Sequence, residues 1–148
     1  MNKDQILIKA KEILEKKLKD LDQAILNVQS AANEESKSSM GDKYETGRAM
    51  AQNDRAMLEH QKIELVRDIF TFENTNFTQE TDSIKTGSIV ETSLGCFLVC
   101  ISLGKIIEAG KTIMLISTVS PIGAIMMGKK ANESINMNGR EIKILKVY

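Results

Sequence analysis

Two apolar heptad stripes, separated by a short polar stretch, constrain this chain more than any other feature. Between residue 3 and about residue 32 there is no Gly or Pro, and Leu7, Leu14, Leu21 and Val28 recur at heptad spacing. Leu18, Ile25 and Ala32 interleave at the three-four offset, giving the narrow stripe of a coiled-coil seam. Lys, Glu, Asp and Gln fill most other positions, which leaves the remaining faces solvated. At about 1.5 Å per residue, roughly 28 residues make a rod of about 40 Å. A second segment, 44–73, repeats Tyr44, Ala51, Leu58, Leu65 and Phe72, with Ile69, Met50 and Met57 adding apolar area. Its companion positions hold Gly47, Asp54 and Gln61, which are poor seam residues. The pattern predicts firm packing around Leu7, Leu14, Leu65 and Ile69 and looser packing towards the far end. Gly47 adds to that looseness, costing about 0.5–1 kcal/mol relative to Ala in a helix.

The segments are similar in length and joined by a link of about ten residues, so the economical arrangement is an antiparallel αα-hairpin over 1–74. The competing arrangement is an intermolecular coiled coil. The hairpin's distal end falls at 33–45, a small, polar stretch with acids at Glu34, Glu35, Asp42 and Glu45 and a turn residue at Gly41. An acid such as Asp42 at a helix start is also favoured simply by the helix dipole. His60 sits among Glu59, Gln61 and Lys62, the setting of a solvated surface residue.

A polar linker over 75–84 changes the periodicity to short strands punctuated by glycine. Strands at 88–93 and 96–103 flank Leu94-Gly95, and a third covers 111–118. Ser120 followed by Pro121 is an N-cap with Pro at the first helical position, and Gly128 closes that short helix, 121–127. Strands at 134–137 and 141–147 meet at Asn138-Gly139, a strong hairpin signal. The fold class is α+β: the helical hairpin, then a small antiparallel sheet with one short helix over 85–148. A unit of about 64 residues is marginal on its own core, and Phe70, Phe72 and Phe77 are candidates to dock it on the base of the hairpin.

Composition removes several function classes. Lys+Arg and Asp+Glu are both 20, so no global field draws in nucleic acid or acidic lipid. Trp is absent and aromatics are 4% of the chain, which argues against a base-stacking platform. No apolar run approaches the roughly 20 residues of a membrane span, and the first residues lack a signal-peptide core; the expected location is cytoplasmic. Cys96 and Cys100, on one side of a strand, read as small core residues, and with a single His they make no zinc site. Beyond the linker the Ser residues have no His partner, the carboxylates are scattered, and no Gly-rich phosphate loop precedes a helix.

The run from Ile116 through Ser120-Pro121-Ile122-Gly123 to Gly128-Lys129 resembles the C-terminal domain of the Gre transcript-cleavage factors. Lys85 through Val90 is similar to the first strand of that domain, and the hairpin lies on the expected side, so the resemblance covers nearly the whole chain. It implies an FK506-binding-protein-like domain that docks on RNA polymerase, with Ser120, Pro121, Ile122 and Gly123 at the contact. The coiled coil then enters the secondary channel. There, tip acids share a Mg²⁺ with the polymerase's active site and promote cleavage of backtracked RNA. On this view the chain is not itself an enzyme, has no cofactor of its own, meets RNA only within the polymerase complex, and is a monomer. The tip departs from the family's pattern: a gap-free alignment on Tyr44 sets Lys37 and Met40 where the functional acids stand. A different loop path would bring two of the nearby acids to the apex, and Asp42 and Glu45, with Glu35 as a further partner, are the substitutes expected there. The departure keeps open a regulator or competitor that occupies the channel without supporting cleavage. Two readings of other classes remain: a prolyl isomerase or peptide-binding module, disfavoured by the single aromatic Phe97 in 85–147, and a purely structural coiled-coil dimeriser.

Overall fold

The computed structural model describes the backbone of residues 2–35 and 41–148, with side chains for all of these except 32–35 and 41–45. The architecture is α+β. Two helices, α1 (Lys3–Glu35) and α2 (Gly41–Glu73), precede strands β1 (Ile89–Thr92), β2 (Cys96–Cys100), β3 (Gly104–Glu108) and β4 (Lys111–Ser117). Helix α3 (Pro121–Met126) and strands β5 (Ser134–Met137) and β6 (Arg140–Val147) follow. The chain packs into two compact units, Met1–Glu12 with Phe70–Tyr148, and Ile13–Ile69.

Local signals set the helix ends. Asn2 Oδ1 accepts from the Gln5 backbone N–H at 3.2 Å, capping the start of α1. At the end of α2 the Asn74 side-chain amide donates to the Phe70 carbonyl at 2.8 Å and the Thr75 hydroxyl donates to the Thr71 carbonyl at 2.6 Å. The Thr75 bond serves a carbonyl in the last turn of the helix, and the Asn74 amide adds to the Asn74 backbone N–H already on the Phe70 carbonyl at 3.0 Å.

Within Ile13–Ile69 the helices run antiparallel. Lys62 Nζ meets Asp22 Oδ1 at 2.6 Å. Farther along α1, and correspondingly earlier on α2, the Gln29 amide oxygen, oriented towards the guanidinium, accepts from Arg55 at 3.1 Å. The seam is as the heptads predict: Leu14 and Leu65 are buried, and Leu18, Leu21, Ile25, Val28, Ala51, Leu58 and Ile69 are half-buried. Met50 and Met57 do not join it. They are 62% and 56% exposed, since their positions turn away from α1.

The unit of Met1–Glu12 and Phe70–Tyr148 holds a six-stranded mixed sheet in the order β3-β4-β2-β1-β6-β5. An all-antiparallel sheet was expected, but β2 and β4 pair in parallel, Phe97 against Met114 and Val99 against Ile116. The cause is a further strand at 104–108, between the expected strands at 96–103 and 111–118. The chain leaves β2 at Cys100, turns at Gly104 (φ 99°), and forms β3 on the outer side of β4. Ala109 and Gly110, with φ of 51° and 77°, then make the two-residue turn back into β4. Asn138 and Gly139 (φ 54° and 77°) make the same kind of turn between β5 and β6, as their sequence signals.

Both sheet faces are covered. Val90, Phe97, Val99, Ile116, Ile142 and Ile144 form one core with Ile84, Ile135 and Met126 of α3. On the other face Ile89, Leu98, Ile106, Ile113 and Leu115 are buried, as are Ile6 and Ala10 in the first turns of α1. Lys9 anchors those turns, pairing with Glu108 at 2.6 Å and donating to the Ile107 carbonyl at 2.8 Å. Phe72 and Phe77 pack ring against ring at 5.1 Å between centroids, whereas Phe70 is 67% exposed and packs nothing down. Cys100 is buried with the Thr75 hydroxyl 3.4 Å from its sulfur, and Cys96 is half-buried. Burial and the nearby Glu91 carboxylate push the Cys96 thiol up, with Lys111 partly offsetting them, so it is a poor nucleophile.

Candidate functional site

Two places carry the residues that the sequence singles out. At the distal end of the hairpin, Glu35 is the last residue of α1, and Asp42 and Glu45 lie in the opening turns of α2. Their side chains, like residues 36–40 with Lys37 and Met40, lie outside the described residues.

The second place is the start of α3. Ser120 is its N-cap, with φ −64° and ψ 154°. Its Oγ accepts from the Gly123 N–H at 3.2 Å while the hydroxyl donates to the Ser117 carbonyl at 2.6 Å. Pro121 occupies the first helical position, where its missing N–H costs nothing. Gly123 is buried, and a Cβ there would lie 2.0 Å from the Ser117 carbonyl oxygen, so no side chain fits. Ile122 is partly buried against the core. Of the four motif residues, Ser120 and Gly123 build the turn, Ile122 packs inward, and Pro121 alone is exposed.

The residue that sequence reading passed over is Val119, 87% exposed immediately before the cap. An apolar residue at this position ordinarily staples onto the fourth helical residue. Here that residue is Ala124, itself exposed. A surface built on this corner therefore presents Val119, Pro121 and Ala124 and keeps the rest of the motif as scaffold. An unstapled valine before a Ser-Pro cap, with only alanine to meet it, was the available signal.

Among the described residues no group of three or more His, Cys, Asp or Glu is placed to hold a metal ion. No helix among them is long and apolar enough to cross a membrane. His60 is solvated and meets Glu64 at 3.3 Å, one turn away. No family model and no curated protein matches the chain.

Proposed function

We propose that the chain is a Gre-like factor that binds RNA polymerase and inserts its helical hairpin into the secondary channel to act on backtracked complexes. The observation that carries this reading is the hairpin itself. Two 33-residue helices pack antiparallel within one chain, each about 50 Å long at roughly 1.5 Å per residue. Acidic residues sit on both sides of the link. A hairpin of this kind followed by an α+β unit with a Ser-Pro-Ile-Gly cap is the order of parts that the resemblance implies. Val119 and Pro121 are the proposed contact with the polymerase. Asp42 and Glu45, with Glu35, are the hard oxygen donors suited to a shared Mg²⁺. Held by these acids, such an ion would supply a lowered pKa for a bound water and charge stabilisation for the ribose 3′ oxygen that leaves.

Lys37 and Met40 favour a second reading at the same channel, a regulator or competitor that occupies it without promoting cleavage. A cation repels a metal, and a thioether is a soft ligand that Mg²⁺ does not select. The test uses stalled, backtracked elongation complexes and follows the RNA 3′ end. Stimulated cleavage that is lost in Asp42→Asn/Glu45→Gln supports the first reading. Displacement of a cleavage-active factor without cleavage supports the second. No binding to core polymerase overturns both.

A further inference from the structure

Helix α2 has two apolar faces, and α1 covers only one of them. Ala51, Leu58 and Leu65 form the covered seam, whereas Ile63 and Val66 stand 54% and 46% exposed on a different face. They line a groove between the helices with Ile25 and Leu26, the latter 55% exposed. The rim is charged and balanced, with Asp22 and Glu59 against Lys62 and Arg67. Three of the four are engaged: Asp22 pairs with Lys62 at 2.6 Å, and Glu59 with Arg55 at 2.9 Å.

We propose that this face binds the same face of a second copy of the chain, the two α2 helices antiparallel about a two-fold axis at Ile63. Charge order selects that occupant and that direction. In this register Ile63 meets Ile63, Arg67 stands opposite Glu59, and Lys62 stands opposite Glu64, each pair occurring twice by symmetry. Val66 stands opposite His60, and Leu65 and Gln61 lie on the side away from this contact, so the face presented from 59 to 67 opposes no like charges. A parallel pairing in register would instead set Arg67 on Arg67 and Glu59 on Glu59. The exposed apolar residues supply the affinity, and the charged rim supplies register and selectivity. The expectation of a monomer then holds only below the dissociation constant of this dimer. The inference stands independently of the polymerase reading. If that reading also holds, self-association covers one flank of the hairpin and competes with insertion.

Sedimentation equilibrium of the full chain over micromolar to millimolar concentration tests it. The expected result is a concentration-dependent shift from the 16.5 kDa chain towards a dimer. Ile63→Glu should weaken association by about a hundredfold or more, since it sets two charges in the apolar centre. Arg67→Glu should weaken it roughly tenfold. Glu59→Arg/Arg67→Glu should return it to within about threefold of the original, because the opposed pairs are re-formed with signs exchanged. All three positions are exposed, and helical circular dichroism checks that each variant stays folded. A monomer at every concentration overturns the proposal. So does a dimer indifferent to Arg67→Glu, or a double variant no better than the single; either result would assign the groove to a different occupant.

Discussion

The α+β unit and the helical hairpin solve the same problem with different densities of contact. In the first, both sheet faces are covered, and Ile84, Val90, Leu98, Val99, Ile113 and Ile144 have at most a trace of exposure. In the second, among its described residues, only Leu14 and Leu65 are buried, and a line of half-buried side chains makes up the rest. A hairpin can manage with so little because each helix makes its own backbone hydrogen bonds along its length. Its axial stiffness is local, and its lateral cohesion comes from a thin seam. Regions that engage other molecules are commonly drawn from the less stable part of a fold, and here that part is the hairpin.

The largest expected effect is a matched pair of truncations. Leu98→Ala should cost about 3–4 kcal/mol, within the usual span for a buried leucine. Leu58→Ala, at a half-buried seam position, should cost about 1 kcal/mol. Urea unfolding measures both, and equal costs would break the comparison. The next effect has the opposite sign. Asp68 is a half-buried acid on α2 whose pKa is raised, by burial first and by Glu64 second, with Lys17 partly offsetting them. Its charged form therefore works against the hairpin at neutral pH. Asp68→Leu should stabilise by about 1 kcal/mol at pH 7. With a folded pKa above the unfolded value of about 3.9, Asp68 contributes a gain in stability as pH falls from neutral through the folded pKa, levelling off below the unfolded one. The leucine variant should lack that gain, and unfolding at a series of pH values distinguishes the two.

The smallest effect belongs to the sheet. Burial alone would raise the pKa of Glu91. The Tyr148 hydroxyl at 3.1 Å, Lys111 at 3.4 Å and Lys146 outweigh it and hold the carboxyl below its ordinary value. A depressed pKa contributes stability that is present above the unfolded value of about 4.3 and lost as pH falls through the folded one. Tyr148→Phe removes the hydrogen bond and keeps the ring beneath Lys146. It should cost about 0.5–1 kcal/mol near neutral pH and less in acid. An unchanged acid limb would show that Lys111 and Lys146 carry the shift without the hydroxyl.

The legible parts of the fold were those where one local signal suffices. The heptads fixed the seam, Ser120-Pro121 fixed the start of α3, and Asn138-Gly139 fixed the last hairpin. Strand β3 was hidden because it is only five residues long and directly follows the largely apolar stretch 96–103, and because Ala109-Gly110 lacks the Asn or Asp that marks such turns. The parallel pairing of β2 and β4 follows from β3, so missing one strand cost the topology of that edge. At the candidate site, a motif carried over by resemblance named four residues as a surface. Ser120 and Gly123 build the turn and Ile122 packs inward, so of the four only Pro121 is exposed, beside the exposed Val119 that the motif leaves unspecified. Burial is a property of the fold, and no residue-by-residue pattern carries it.

The first turns of α1 belong to the same compact unit as everything from Phe70 onward, and this has a consequence for the order of assembly. During synthesis Ile6 and Ala10 emerge long before the strands that complete their unit, and chains fold from the N-terminal side as they emerge. Joining the two sequence pieces across an unstructured chain would carry the loop-closure cost of the whole intervening segment. The hairpin removes much of that cost by forming from local contacts and returning the chain close to where it left. Its thin seam therefore has a kinetic use: it holds two distant pieces of sequence together until β2 and β4 arrive. Variants that loosen it should slow completion of the sheet even where the final sheet is unchanged.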